Sequence, residues 1–356
     1  MAKPTKCLLI GSTKPYSGKS AIALGIADQL QQRGLKVAYG KPLGTIIEPD
    51  ETLDADVEFI AQHLSLASEQ VFLPLLLHQE ANIYRRVQGQ DPTNYQDTVR
   101  QWAQKNSSDV LLVEGAGSLQ EGYLFGLSLS QIAEALDAAV VLVECLGSPL
   151  NLDDLLFAQA QLSDRLIGIV VNDLIESQQE EAVTLVKPFL EQHHIPVLGL
   201  LPRNALLRSV SVEELAKRLQ AQVLCGANHL DVMVESLSVG AMNVSAAMKY
   251  FDRSRNMAVV TGGDRTDIQL AALEKSTHCL ILTGQIIPDP IVINRAEDLE
   301  VPVLSVDLDT LTTVEIIDQA FGKVRLHEDH KIECIAQLMS EHFNLTQLLQ
   351  ALQLEG

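Results

Sequence analysis

Positive charge is what this chain has least of. Its 26 Lys and Arg are outnumbered by 46 Asp and Glu, for a formal net charge of −20. Neutralising nucleic-acid phosphates or anionic lipid takes clustered cations, so neither nucleic acid nor a membrane is an expected partner. The acidity serves solubility. Cysteine is scarce too: Cys7, Cys145, Cys225, Cys279 and Cys334 stand far apart, with no CxxC pair. Three of them (Cys7, Cys145, Cys279) lie in apolar strand-like runs, so free thiols in a reducing compartment are expected, not a disulfide framework or zinc site. Long apolar runs are missing. The start Met-Ala-Lys-Pro-Thr-Lys leads into a run too short for a signal h-region, and nothing approaches a membrane span. The expectation is a cytoplasmic protein. No low-complexity tract or fixed-period repeat occurs, and no Ser/His/Asp triad or Cys–His pair suggests itself; His278 beside Cys279 reads as a strand-edge neighbour.

What the chain does have is apolar material, 47% of 356 residues, enough for two cores. Short apolar strands alternate with helical patterns through the first two-thirds. Strands are expected at Cys7–Ile10, Lys36–Tyr39, Asp109–Val113, Ala138–Glu144, Leu166–Val171 and Val197–Leu201. Their continuous apolar character suits a parallel sheet covered on both faces. The expected fold is α/β: a doubly wound, mainly parallel sheet over residues 1–220, then a smaller α/β domain over 221–356. The short helix Val212–Leu219 and the stretch Ala221–Asn228 read as the passage between them. The second domain closes on a long helix, His330–Leu352, whose apolar stripe suits its own core or a partner subunit.

The first strand runs into Gly11-Ser-Thr-Lys-Pro-Tyr-Ser-Gly-Lys-Ser20 and then a helix that stops at Gly34. Strand, glycine-bounded loop and helix is the order that cradles phosphates. Loop N–H groups and the helix dipole face the anion, Lys19 adds a point charge, and the Ser20 hydroxyl ligates Mg²⁺. Thr13, Lys14, Ser17, Gly18, Lys19 and Ser20 are therefore candidate nucleotide contacts. Thr13 stands where the strict pattern has its first glycine, and Lys14 takes the place of the second lysine of some dimeric P-loop ATPases.

In an open parallel sheet, ligands collect at the strands' carboxyl ends. Gly40-Lys-Pro42, Glu114-Gly-Ala-Gly117 and Asn172-Asp173 all sit at such ends. Glu114 is a candidate Mg²⁺ ligand, or else a turn residue. Gly115 and Gly117 would let the backbone approach phosphates. Lys41 could neutralise a transferring phosphoryl group or be a solvated loop lysine. Asp54 or Asp56, following the acidic loop Glu48-Pro-Asp-Glu51, could complete the metal shell; Asp54 also suits a helix start. Asn172 carries an amide that can pair with adenine, or closes an ordinary turn.

These pieces, with Gly199-Leu-Leu-Pro-Arg203, resemble the dethiobiotin synthetase family of P-loop ATPases, in the version found at the N-terminus of long phosphate acetyltransferases. The run Val259-Val-Thr-Gly-Gly-Asp264-Arg265-Thr266-Asp267 is similar to the DRTGG domain that follows it there. The resemblance implies ATP and Mg²⁺: Lys19 and Ser20 on phosphates and metal, Asp54 and Glu114 on the metal, Lys41 at the reacting phosphoryl, Asn172 on adenine. Two departures matter. Dethiobiotin-forming enzymes continue Glu-Gly-Ala-Gly with a further glycine and an apolar–proline segment, where this chain has Ser118-Leu-Gln-Glu-Gly-Tyr123. The sequence also stops at Gly356, where the acetyltransferase domain of such relatives would begin. Neither dethiobiotin synthesis nor acetyl transfer is then expected.

Gly263, Asp264, Arg265 and Thr266 could bind an anion at a helix start, or Asp264 could cap the helix while Arg265 pairs locally or across an interface. The first functional expectation is a slowly hydrolysing, ATP·Mg-binding regulatory protein. It would work as a homodimer or higher homo-oligomer, with Lys14 reaching a neighbour's site, and with a regulatory protein partner. The alternative is an ATP-dependent carboxylate–amine ligase.

Overall fold

The computed structural model describes residues 5–44, 54–147, 150–322 and 329–354. The acidic loop 48–51 lies outside the described residues. The chain forms two compact units, Met1–Arg203 with Leu326–Gly356, and Asn204–Arg325.

The first unit is built on seven strands: β1 (Lys6–Gly11), β2 (Val37–Gly40), β3 (Val71–Phe72), β4 (Val110–Glu114), β5 (Ala139–Cys145), β6 (Leu166–Leu174) and β7 (Val197–Pro202). They lie in the order β3-β2-β4-β1-β5-β6-β7, every pair parallel. Parallel pairing with the first strand central is the doubly wound arrangement expected from the alternation of strand and helix. The strands are apolar on both faces because helices cover both; Leu8, Leu9, Ile10, Leu111, Leu112 and Val113 are all fully buried. Helix α1 (Lys19–Gln32) sends Ile22, Ile26 and Leu30 into the core. Each such burial stabilises by about 1.5–3 kcal/mol. The helix closes where expected: Gly34 takes φ +79° and the Leu35 N–H returns to the Leu30 carbonyl at 3.1 Å.

In the second unit, β8 (Gln222–Cys225), β9 (Ser236–Val239), β10 (Met257–Gly262), β11 (Thr277–Thr283) and β12 (Val303–Val306) lie in the order β8-β12-β11-β10-β9. All pairs are parallel except β8 on β12. The stretch Ala221–Asn228 is thus no mere passage, since it supplies the antiparallel edge strand. Val212, Leu215 and Leu219 pack with Ala258, Val260 and Ile281 of this sheet. The helix expected between domains therefore belongs to the second unit, and the boundary falls before residue 220.

The terminal segment departs further from expectation. It is two helices, α4 (Asp329–His342) and α5 (Leu345–Leu352), and it packs in the first unit against α1, β6 and β7. The break has a cause. Phe343 bridges antiparallel to Gly199, the Asn344 N–H donates to the Leu198 carbonyl at 2.7 Å, and the Asn344 side chain caps α5 by accepting from the Gln347 N–H. Pairing with the sheet edge outweighs helix continuity, and the apolar stripe is spent inside this chain. No helix among the described residues is long and apolar enough to cross a membrane.

Candidate functional site

Because the first sheet is parallel, its carboxyl ends share one edge, and six of the seven strands deliver polar residues there. Between β1 and α1 the loop turns through Gly18 at φ +90°, a left-handed conformation that favours glycine. The turn brings Lys19 inward to 8% exposure. Its Nζ donates to the Ser12 hydroxyl at 2.9 Å. Among the described residues no carboxylate comes within ion-pairing distance of it. Burial pulls its pKa down, Glu114 opposes that shift, and the neighbouring Lys41 adds to it.

Glu114, at the end of β4, lies beside the loop because Ile10 is its register partner on β1. Ser20 Oγ donates to its Oε1 at 3.0 Å and Tyr39 Oη to its Oε2 at 2.7 Å. Burial raises the Glu114 pKa, with Lys41 the leading opposing influence. Burial, reinforced by Glu114, carries the Tyr39 phenol well above its ordinary value, so it stays a donor. Lys41 is buried and reaches Asp54 at 3.0 Å and Asp56 at 3.3 Å. Burial works against its charge, but Glu114, Asp56 and Asp54 together outweigh it and raise its pKa. Lys41 is not a solvated loop lysine. Asp54 stands at the N-cap position of helix α2 (Ala55–His63), yet its carboxylate pairs with Lys41 and its side chain makes no cap hydrogen bond.

The remaining candidates divide. Thr13 gives both its N–H and its hydroxyl to Glu144, at the end of β5, which also accepts from Asn151 at 2.7 Å. Thr13 therefore anchors the loop where the usual pattern has glycine. Lys14 is exposed and paired with Asp154 of its own chain at 3.0 Å. Ser17 is buried, and its Oγ has no hydrogen-bond partner among the described residues. Asn172 donates to the Ser17 carbonyl at 2.9 Å, which places it at the loop with one amide hydrogen committed. Gly115 and Gly117 follow Glu114, and their N–H groups donate to the Ile10 carbonyl (2.8 Å) and to Glu121 Oε2 (2.6 Å). In the second unit, helix α3 (Thr266–Leu273) has Arg265, not Asp264, at its N-cap position, without a side-chain cap. Arg265 donates to the Met242 carbonyl at 3.0 Å and to Asp267 at 3.3 Å, and the Gly263 N–H donates to Thr283 at 3.2 Å. Asp264 does not cap that helix, contrary to the expectation; Arg265 pairs locally.

Sequence reasoning missed Ser12, Tyr39, Glu121 and Glu144. Tyr39 and Glu144 carried a signal, since each is a polar residue near the carboxyl end of an otherwise apolar strand. Ser12 and Glu121 had none.

The donor set fits a magnesium-bound polyphosphate. The loop carries a buried ammonium with no carboxylate in ion-pairing distance and a buried hydroxyl with no partner, both among the described residues, and these are donors that an anion would satisfy. Ser20 Oγ and Glu114 would hold Mg²⁺. Among the described residues, no group of three or more His, Cys, Asp or Glu could hold a metal ion.

Residues 6–211, more than half of the chain, match the family model described as AAA domain, and residues 214–320 match the DRTGG domain. Phosphate acetyltransferase of Nitratidesulfovibrio vulgaris is 26% identical over 364 residues, covering 96% of this chain and 51% of that protein. The Synechocystis enzyme of the same name is 26% identical over 313 residues, covering 83% and 44%. The chain thus spans about half the length of the curated relatives it matches. Among solved structures, the CBS and DRTGG regulatory region of Clostridium perfringens pyrophosphatase aligns at 19% identity and a TM-score of 0.30, over 45% of this chain and 82% of that one. That likeness is too slight to bear on function. With its loop, sheet and second unit in place, the chain belongs to the AAA-domain family of P-loop proteins and carries a DRTGG domain behind it.

Proposed function

We propose that the first unit binds ATP·Mg²⁺, hydrolyses it slowly, and regulates a partner or a homo-oligomer through the DRTGG unit, in the cytoplasm. The observation that carries this reading is Lys19: a buried ammonium whose hydrogen-bond partner is a neutral hydroxyl. An ammonium held out of water without a counter-ion is costly, and a phosphate on the loop would supply the charge it lacks. Lys19 and Lys41 are the catalytic candidates. Lys19 orients the phosphates, and Lys41, charged through Glu114, Asp56 and Asp54, stands ready to stabilise the transferring group. Ser20, Glu114 and Asp54 position the magnesium, which supplies charge neutralisation when bound. Lys14 would act across a dimer only by leaving Asp154, and Lys14→Ala would then lower turnover more than affinity.

Thermal unfolding with ATP, with and without Mg²⁺, tests the reading. Ligand at about 100 times its Kd adds about 2.7 kcal/mol of stability, so the midpoint should rise with ATP·Mg²⁺ and less with either alone. An unmoved midpoint counts against it. Turnover measured against a panel of carboxylates and diamines separates regulator from ligase. A flat response supports the regulator, and a sharp rise with one compound supports the ligase.

A further inference from the structure

We propose that the ion pair Asp173–Arg203 selects the base of the bound nucleotide, admitting a 6-aminopurine and rejecting guanine; this rests on the nucleotide reading above. Strand β6 does not end plainly. Val171 pairs with Leu200 and Leu174 with Pro202, so β6 spends one residue more than β7 over the same span. Bulges of this kind re-aim side chains and gather beside functional sites. Asp173, inside the bulge, takes φ +56°, a left-handed conformation that few side chains other than those of Asp and Asn adopt readily. Across from it, the Arg203 N–H donates to the Leu174 carbonyl at 2.8 Å. The guanidinium then grips Asp173 with two arms, Nε to Oδ1 at 2.9 Å and Nη2 to Oδ2 at 2.6 Å.

Stability alone does not explain the arrangement. The two side chains are 45% and 19% exposed, and ion pairs that open to water stabilise little. Place explains it better. Asn172, the residue before, touches the phosphate loop through the Ser17 carbonyl, and a Cβ on Gly18 would come within 2.4 Å of its Nδ2. With one N–H committed, its amide keeps a second N–H and a carbonyl oxygen. That donor–acceptor pair matches N7 and the 6-amino group of adenine. Guanine instead presents two acceptors, N7 and O6, and would set O6 against the Asn172 carbonyl. What guanine has to offer is its N1–H and 2-amino donors, which suit a carboxylate with both oxygens open. Asp173 is the adjacent carboxylate, and Arg203 takes a lone pair on each oxygen while neutralising its charge. The fork occupies the carboxylate that would reward guanine's N1–H and 2-amino donors.

The test measures Kd for ATP and for GTP, each with Mg²⁺, on the full chain and on Arg203→Ala, Arg203→Lys and Arg203→Ala/Asp173→Asn, with melting curves to confirm folding. The wild type should favour ATP. Arg203→Ala should cut the ATP-over-GTP preference about tenfold by tightening GTP, the scale of one bidentate base contact. Arg203→Lys, which keeps the charge but not the fork, should move the preference the same way by less, and adding Asp173→Asn to Arg203→Ala should cancel the gain. Wild type that prefers GTP, or a preference unmoved in both Arg203 variants while ATP still binds, overturns the proposal and leaves the nucleotide reading standing. A wild type that binds neither nucleotide overturns both.

Discussion

Tyr39 shows how a single residue shapes the site. Its hydroxyl is fully buried and donates to Glu114 at 2.7 Å. Tyr39→Phe removes the donor and leaves a buried carboxylate oxygen unpaired, which should cost about 1–3 kcal/mol in denaturant unfolding; an unchanged midpoint would mean Glu114 does not depend on it. Glu144 makes a pH prediction. Burial raises its pKa against the bonds from Thr13 and Asn151. A carboxyl with a raised folded pKa gives its full stabilising contribution below the unfolded value of about 4.3 and loses it as pH climbs through the folded value. Stability of the wild type relative to Glu144→Gln should therefore fall with rising pH across that window, and parallel curves would contradict the assignment. The two residues also mark what sequence could and could not convey. Lys19, Ser20 and Glu114 were legible because loop chemistry demands those groups in that order. Tyr39 and Glu144 showed only as polar residues near the ends of apolar strands, and their roles were hidden because strand register, and not spacing along the chain, brings them to the loop.

At the scale of elements, Gly25 in α1 gives the sharpest prediction. Helix propensity alone says Gly25→Ala should stabilise by about 1 kcal/mol. But α4 lies so close that an added Cβ would stand 2.5 Å from Met339 Cγ and 3.2 Å from Ile335 Cγ2. Overpacking typically costs about 1–3 kcal/mol, so the substitution should lower the unfolding midpoint; a raised midpoint would show that the helices do not meet there. Asn344→Ala tests the break between α4 and α5, and loss of that cap should cost about 1 kcal/mol. The sequence announced the apolar stripe of this segment but not its interruption. Phe343 and Asn344 leave the helix for the Leu198–Gly199 edge, a partner distant along the chain that local pattern cannot reveal. The same blindness turned Gln222–Cys225 into a connector: a short edge strand takes its identity from β12 opposite.

For the whole molecule, the consequence is that the first unit is discontinuous. A chain ending at residue 220 keeps the phosphate loop but loses α4 and α5, baring the packed face of α1 and the edge of β7. It should unfold at lower denaturant than the full chain and aggregate through the exposed strand edge; equal stability would mean the return of the terminus is incidental. The claim on which the functional account turns is that Lys19 is buried to receive a triphosphate. Calorimetric titration with ATP·Mg²⁺ of the wild type and of Lys19→Met, a neutral side chain of similar length, measures it most directly. The account predicts saturable binding by the wild type and a loss of about 100-fold or more in the variant, in keeping with about 3 kcal/mol for a buried charge-assisted contact. Equal affinity in both proteins, or no binding by the wild type, would contradict it.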